Sequence, residues 1–117
     1  MKKKAIIISL KGKTLSKKEK MLLLKERPWG VILFKRNIYS LNQTQRLILQ
    51  IKKYSKSKNF PILIDEEGST VSRLKNIFNH HLNANYFGKV YEKNKKTAIF
   101  IYKNYLNLYV VYSRLLV

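Results

Sequence analysis

The sequence lacks cysteine and contains only two prolines, four glycines and one aspartate in 117 residues. Without cysteine it can form neither a disulfide framework nor a thiolate metal site, and this composition suits a reducing compartment. Glycine-rich phosphate loops, zinc-ligand spacings, nucleophile elbows and internal repeats are also absent. The length and a hydrophobic fraction of 45% predict one small domain with a core.

Long apolar runs are missing as well. Met1 to Lys4, followed by a six-residue apolar run, resembles the start of a signal peptide, but lysines and a helix cap follow in place of a cleavage site. A membrane span needs about 20 mainly apolar residues. The apolar C-terminal stretch is interrupted by Lys103, Asn104, Asn107 and Arg114. We therefore predict a cytoplasmic protein that makes no membrane contact.

Acidic residues are scarce, with six against 25 basic residues, so the formal net charge is +19. Such a charge raises the possibility of a nucleic-acid partner, because clustered lysine and arginine neutralise phosphates. Only five of the basic residues are arginine, whose planar fork reads guanine or phosphate. We favour a solvated lysine surface with no specific nucleic-acid partner. A basic module that contacts nucleic acid stays open as the alternative.

The chain alternates between predicted strands and helices. Apolar, β-branched runs predict strands over 5–10, 30–34 and 60–64. Strands that are separated by helices of this length form parallel βαβ units with right-handed crossovers. The N-terminal two thirds of the chain therefore predicts an α/β fold.

Capping residues place the helices between these strands. Ser16 and Glu19 form a capping box, and the helix they open should end before Pro28, because the residue before a proline is pushed out of helical geometry. Ser40 can cap the second helix. The apolar (dry) face of this helix consists of Leu47, Ile48 and Ile51, and its polar (wet) face consists of Gln43, Arg46, Gln50 and Lys53. The polar stretch 52–59 ends the βα unit.

The C-terminal third follows a looser pattern. Residues 75–88 read as a loop, and a last helix is expected to begin near Glu92. Its apolar stripe would be formed by Ile101, Tyr105, Leu108, Tyr112 and Leu115. We expect a core-facing helix that lacks some of its packing partners. The segment 110–117 is expected to be an aberrant C-terminal end.

Two short motifs follow predicted strands. Gly30 to Phe34 leads into Lys35-Arg36-Asn37, and the apolar run Ile62-Leu63-Ile64 ends in Asp65-Glu66-Glu67-Gly68, with Arg73 a short way on. Asp65 is the only aspartate in the chain. Polar groups at the carboxyl ends of parallel strands lie where α/β folds place their sites.

These motifs, with Val71-Ser72-Arg73-Leu74, resemble the N-terminal part of glycoside hydrolase family 3, in its bacterial β-N-acetylhexosaminidase branch. The resemblance covers roughly residues 4–110. It implies a partial TIM-type (β/α)₈ barrel. A whole barrel takes about 250 residues, so the chain holds only the N-terminal three to four βα units. Residues 1–117 are accordingly expected to be one N-terminal fragment of such a barrel.

The resemblance also implies roles for particular residues. Asp65 and Arg73 would bind the sugar, and Arg36, Asn37 and Glu67 would support them. The family's nucleophile and its His/Asp pair are expected beyond Val117, so no residue of this chain is predicted to be catalytic and activity alone is uncertain. Neither a metal nor an organic cofactor is implied.

Each candidate has a simpler interpretation. Asp65 could be a helix cap or a loop acceptor, Arg73 could merely neutralise it, and Arg36-Asn37 could terminate a strand. His80-His81 reads as a plain loop pair. Glu66, Ser69 and Thr70 depart from the family's glutamine, glycine and arginine, which puts the loop geometry in question.

The function that the sequence predicts is that of the N-terminal part of a β-N-acetylhexosaminidase, which serves peptidoglycan recycling by resemblance. Its partners would be an amino-sugar or muropeptide substrate and a separately encoded C-terminal half. A non-enzymatic remnant remains an alternative.

Overall fold

The computed structural model describes residues 3–66, 71–78 and 82–115, with side chains in the last helix described up to residue 108. These residues form three strands, β1 (Lys4–Ser9), β2 (Pro28–Leu33) and β3 (Ile62–Ile64). They also form four α-helices and a 3₁₀ turn at Lys35–Asn37. The helices are α1 (Lys17–Glu26), α2 (Leu41–Ser55), α3 (Ala84–Lys93) and α4 (Lys95–Leu115). The predicted α/β class is confirmed.

The strands form one parallel sheet in the order β1–β2–β3. β2 lies in the middle, where Val31 pairs with Ile8 on one side and with Ile62 on the other. Burial follows this order: Val31 and Leu33 are fully buried, β1 is mostly exposed, and β3 is half-buried. The third strand is therefore shorter and more exposed than its apolar sequence predicts, because only β2 pairs with it among the described residues.

Gly30 permits a close approach between β2 and the residue that precedes β3. A Cβ atom at this position would lie 3.0 Å from the carbonyl oxygen of Pro61 and 3.2 Å from its Cβ. The amide of Val31 donates to the same Pro61 oxygen at 3.0 Å. A side chain at position 30 would push the two backbones apart by a few tenths of an ångström, which favours glycine here.

The predicted helix caps are confirmed. The Ser16 hydroxyl accepts from the Glu19 amide at 3.3 Å, and the Glu19 carboxylate accepts from the Ser16 amide at 2.8 Å. Ser40 caps α2 by accepting from the Gln43 amide at 3.3 Å. α1 and α2 end in left-handed residues that are not glycine, namely Arg27 (φ 49°) and Lys56 (φ 54°).

A hydrophobic core lies where α1 and α2 cover the sheet. The predicted dry face of α2 is buried, whereas Arg46 and Lys53 of its wet face are exposed and Gln43 and Gln50 are half-buried. Leu74, beyond β3, joins the same core. The other members of this core are Leu10, Leu15, Leu23, Val31, Leu33, Ile38, Leu47, Ile48, Ile51 and Phe60.

The C-terminal third differs from the prediction. Residues 84–88, expected in a loop, belong to α3, and the single helix expected from Glu92 is instead two helices that meet at Asn94. Asn83 caps α3 by accepting from the Tyr86 amide at 2.8 Å. The Asn94 side chain likewise accepts from the Thr97 amide at 3.0 Å, which starts α4. Asparagine caps, rather than apolar periodicity, set these boundaries.

α3 and α4 pack against each other through aromatic rings. The ring of Phe87 lies 5.1 Å from that of Tyr102 and 5.2 Å from that of Tyr105. Of the predicted stripe on α4, Ile101 and Tyr105 are half-buried but Leu108 is exposed, and the side chains of Tyr112 and Leu115 lie outside the described residues. The core-facing role predicted for this stripe is therefore met only in part.

The molecule is open in shape. Its radius of gyration is 16.8 Å, compared with about 13 Å for a compact domain of this length. Large apolar side chains on β1 and α4, such as Ile6, Ile7 and Phe100, are about half or more exposed. No helix within 3–66, 71–78 and 82–115 is both long and apolar enough to cross a membrane.

Candidate functional site

Three chain segments converge at the carboxyl ends of the strands. We call them the first loop (10–13, after β1), the second loop (34–38, after β2) and the third loop (65–74, after β3), the last described except for 67–70. Parallel pairing brings the three strand ends to the same edge of the sheet. This edge carries Arg36, Asn37, Asp65 and Arg73, four of the five predicted site residues. Glu67, the fifth, lies outside the described residues, as do Ser69, Thr70, His80 and His81.

Asn37 ties the second loop to the first. Its side chain is completely buried, and its amide nitrogen donates to the carbonyl oxygens of Leu10 at 3.1 Å and Gly12 at 2.8 Å. Its Oδ1 accepts from the amide of Phe34 at 2.9 Å. Arg36 adds a bond from Nε to the Leu10 oxygen at 2.8 Å. Both residues therefore hold two loops together, which goes beyond ending a strand.

Asp65 and Arg73 meet in the third loop through a loose contact. Arg73 Nη2 lies 3.4 Å from Asp65 Oδ2, and Arg73 Nε donates to the Asp65 carbonyl oxygen at 3.2 Å. The Asp65 side chain is 42% exposed and that of Arg73 is 26% exposed. A long, partly exposed ion pair contributes little to stability. Because 42% of the Asp65 side chain is exposed, its carboxylate is accessible to hydroxyl donors from solvent.

Glu66 holds the two ends of the third loop together, a role that its sequence did not reveal. Its Oε2 accepts from the backbone amides of Arg73 at 2.8 Å and Leu74 at 3.0 Å. Because Leu74 is anchored in the core, these bonds fix the backbone position from which the Arg73 side chain extends. The family's glutamine also carries a side-chain oxygen that can accept both bonds. Glu66 in place of the family's glutamine thus keeps the oxygen that accepts the two backbone hydrogen bonds.

Phe34 is the second feature that sequence reasoning missed. The guanidinium carbon of Arg36 lies 4.9 Å from the centre of the Phe34 ring, and that of Arg73 lies 5.7 Å from it. Both distances are within the range of cation–π attraction. The ring therefore bridges the second and third loops. An aromatic residue two positions before Arg36 was a visible signal, but its second partner is 39 positions further on and could not be read from spacing.

A carboxylate with a shifted pKa lies beside the first loop. Burial alone raises the pKa of Glu19, but hydrogen bonds from the amides of Lys11 and Ser16 and from the Ser16 hydroxyl outweigh it and hold this pKa below its ordinary value. At the opposite end of the sheet, the hydrogen bond from Lys4 lowers the pKa of Glu26. Glu19 thus belongs to the scaffold: it binds the Lys11 amide at 2.8 Å, next to the Leu10 carbonyl that Asn37 uses.

The described residues place no second carboxylate opposite Asp65 and Glu66. Glu19, Glu26 and Glu92 lie in helices, and no group of three His, Cys, Asp or Glu residues in the described part of the chain could hold a metal ion. Trp29 is 45% exposed on β2. The arrangement can therefore bind and orient a polyhydroxylated ligand, and it supplies no flanking pair of acids.

Comparison with known proteins points to one enzyme family, although no family model matches the chain. A β-hexosaminidase from Thioalkalivibrio sulfidiphilus is 34% identical over 89 residues, which is 76% of this chain and 25% of that protein. NagZ from Neisseria gonorrhoeae, solved in complex with N-trifluoroacetyl-D-glucosamine, superposes with a TM-score of 0.69 at 27% identity, over 82% of this chain and 28% of NagZ.

A third likeness carries the family name. A glycoside hydrolase family 3 β-N-acetylglucosaminidase from a Paenibacillus strain superposes with a TM-score of 0.55 at 26% identity, over 60% of this chain and 14% of that enzyme. The chain is thus an α/β relative of glycoside hydrolases. More particularly, it corresponds to the N-terminal part of family-3 enzymes of the β-hexosaminidase type, which confirms the resemblance seen in the sequence. It spans about a quarter of the length of the β-hexosaminidase from Thioalkalivibrio sulfidiphilus.

Proposed function

We propose that this chain supplies the N-terminal, sugar-binding part of a β-N-acetylhexosaminidase that acts on terminal β-linked N-acetylglucosamine. One observation carries the proposal: a loosely paired, accessible Asp65 carboxylate stands at a strand end in a chain similar to β-hexosaminidases. The comparisons favour this function over the nucleic-acid module and the remnant.

The proposed architecture is a partial TIM-type barrel. The sheet order β1–β2–β3 with α1 and α2 as crossovers is that of consecutive barrel units. In this proposal residues 1–117 form one N-terminal portion of such a barrel, and the exposed faces of β1 and α4 are covered by the remaining units. Barrel enzymes place their sites at the carboxyl ends of the strands, where the three loops meet here.

The proposed roles follow from the contacts at this edge. The Asp65 carboxylate accepts hydrogen bonds from neighbouring sugar hydroxyls, because an ionised carboxylate offers two oxygens in one plane. Arg73 orients that carboxylate and donates to a sugar oxygen. Arg36 and Asn37 support them by holding the second loop in place, and the same supporting role is proposed for Glu67.

Bond cleavage requires groups that the described residues do not bring together. Glycoside hydrolysis normally uses two carboxyl groups about 5–9.5 Å apart that flank the scissile bond. In this proposal a second polypeptide, equivalent to the rest of the relatives' length, brings the nucleophile and the general acid. The setting proposed for the complete enzyme is cytoplasmic peptidoglycan recycling, with an amino-sugar or muropeptide substrate and no cofactor.

Binding to the chain alone tests the sugar role. We expect N-acetylglucosamine to shift the backbone NMR signals of residues 65, 66 and 73, with weak, millimolar affinity. Asp65→Ala and Arg73→Ala should each abolish these shifts. Glu92→Ala, which removes an exposed acid from α3, is the matched control and should leave them unchanged. Equal shifts with the wild type and Asp65→Ala would refute the proposed site.

Reconstitution tests the catalytic role. The purified chain alone should not hydrolyse a chromogenic β-N-acetylglucosaminide above buffer, whereas co-expression with the C-terminal three quarters of a β-hexosaminidase relative should restore turnover. Losing a charge-assisted hydrogen bond of about 1.5–3 kcal/mol predicts that Asp65→Ala lowers kcat/KM by one to two orders of magnitude. Glu66→Gln should be mild because it keeps the acceptor oxygen. If the isolated chain turned over substrate and lost this activity on Asp65→Ala, the division of roles would be wrong.

A further inference from the structure

The contacts of Arg73 raise the question of what holds its guanidinium in place. Its contact with Asp65 Oδ2 is long, at 3.4 Å, and the Asp65 side chain is 42% exposed. Its bond from Nε to the Asp65 carbonyl oxygen is also at the long end, at 3.2 Å. Among the described residues, these two long contacts go to the same partly exposed residue and are not enough to fix the plane of the guanidinium, since an exposed pair contributes little against side-chain entropy.

The ring of Phe34 offers the missing contact. This side chain is half-buried. Phe34 begins the second loop, and its backbone amide donates to the side chain of the completely buried Asn37. The backbone of Phe34 is therefore fixed to the scaffold, and its ring is half-buried beside it. The guanidinium carbon of Arg73 lies 5.7 Å from the ring centre, within reach of its negatively charged π face.

We propose that Phe34 is a positioning residue, whose aromatic face holds the Arg73 guanidinium in the orientation that Asp65 and a bound sugar require. This inference rests on the proposed function for its consequence on sugar binding. Its consequence for Arg73 itself does not depend on any ligand. The second guanidinium near the ring, that of Arg36, is fixed separately by its bond to the Leu10 oxygen.

A simpler role for Phe34 is apolar packing, and the two roles predict different responses. Packing depends on volume, so leucine would be a tolerable replacement. Cation–π attraction depends on the electron density of the ring, so leucine would lose it and tyrosine would keep it. Fluorine atoms on the ring withdraw density while its shape changes little, so graded fluorination isolates the electronic contribution.

The experiment measures how fast the Nε–H proton of Arg73 exchanges with water, by NMR on the full-length chain with labelled arginine. Arg73→Lys assigns the signal. A cation–π contact of ordinary strength predicts exchange about two- to fivefold faster in Phe34→Leu and nearly unchanged in Phe34→Tyr. Pentafluorophenylalanine at position 34 should also accelerate it, which provides a test if Phe34→Leu does not fold. Dissociation constants for N-acetylglucosamine are measured on the same samples.

The outcomes separate this inference from the proposed function. Faster exchange in Phe34→Leu and in the fluorinated chain, with a matching two- to fivefold loss of sugar affinity that tyrosine rescues, supports both. Faster exchange in Phe34→Leu and in the fluorinated chain, together with a wild type that binds no sugar, supports the positioning of Arg73 and refutes the proposed function. Unchanged exchange in the fluorinated chain, or equal acceleration in Phe34→Tyr and Phe34→Leu, overturns the inference and leaves Phe34 as a packing residue.

Discussion

Asn37 provides the sharpest test of how the scaffold holds the candidate site. Its completely buried side chain makes three hydrogen bonds to the backbone, of 2.8, 2.9 and 3.1 Å, which join the first and second loops. Asn37→Ala removes all three and leaves the Phe34 amide and two carbonyls without this partner. At about 1 kcal/mol for each bond, we expect a loss of about 3 kcal/mol in the free energy of unfolding.

Urea denaturation followed by circular dichroism measures this loss. With a slope of about 1–3 kcal/mol per molar urea, the midpoint should fall by about 1–3 M. Because an open chain of this size has little stability to spare, wild type and variant are compared in the same stabilising osmolyte. Asn42→Ala, at an exposed position early in α2, is the matched control and should stay within about 0.5 kcal/mol.

Asn37→Asp separates hydrogen bonding from volume. It keeps an acceptor for the Phe34 amide but loses both donors and places a carboxylate against the Leu10 and Gly12 carbonyls. At neutral pH it should be at least as destabilising as alanine, and part of the loss should return in acid, because a protonated carboxyl regains one donor. A midpoint for Asn37→Ala equal to that of Asn42→Ala would refute the reasoning.

Three further predictions concern the scaffold and the charge. The pKa of Glu19 is lowered in the folded state, so the ionised side chain stabilises the fold. This stabilisation should be complete above the unfolded pKa of about 4.3 and should disappear as the pH falls through the folded pKa. The free energies of unfolding of wild type and Glu19→Gln, measured by urea titration, should therefore converge in acid. Gly30→Ala should lower the free energy of unfolding by about 1–3 kcal/mol because the new Cβ meets the Pro61 backbone. Gly88→Ala, which has open space around it in α3, should raise this free energy by up to about 1 kcal/mol. Equal thermal melts for the two variants would contradict this. If the net charge of +19 reflects only a solvated lysine surface, DNA binding should be weak, indifferent to sequence and lost at about 0.2 M salt in a fluorescence anisotropy titration. Sequence-selective binding at physiological salt would instead support the nucleic-acid alternative.

The sequence predicts most of the N-terminal half because its signals there are local. The capping box at Ser16 and Glu19, the cap at Ser40 and the apolar face of α2 each involve residues within a few positions of one another. Local signals also existed in the C-terminal third, at Asn83 and Asn94. There the prediction followed apolar periodicity instead, and it missed the start of α3 and the break before α4.

The candidate site is predictable in position but not in its contacts. A carboxylate after an apolar strand indicates Asp65, and strand order brings Arg36 and Asn37 to the same edge. The bonds of Asn37 to Leu10 and Gly12, and the approach of Arg73 to Phe34, join residues 25 to 39 positions apart. Such contacts depend on the packing of the whole sheet, which no residue pattern specifies.

The pairing of α3 with α4 has a consequence for how the chain opens. The rings of Phe87, Tyr102 and Tyr105 pack the two helices against each other, while most of their described surface faces solvent. Backbone amides protected by so little burial exchange through local opening rather than through unfolding of the whole chain. We therefore expect the helical pair to be a separate low-stability cooperative unit, with amides that exchange with deuterium before those of β2, whose Val31 and Leu33 are fully buried.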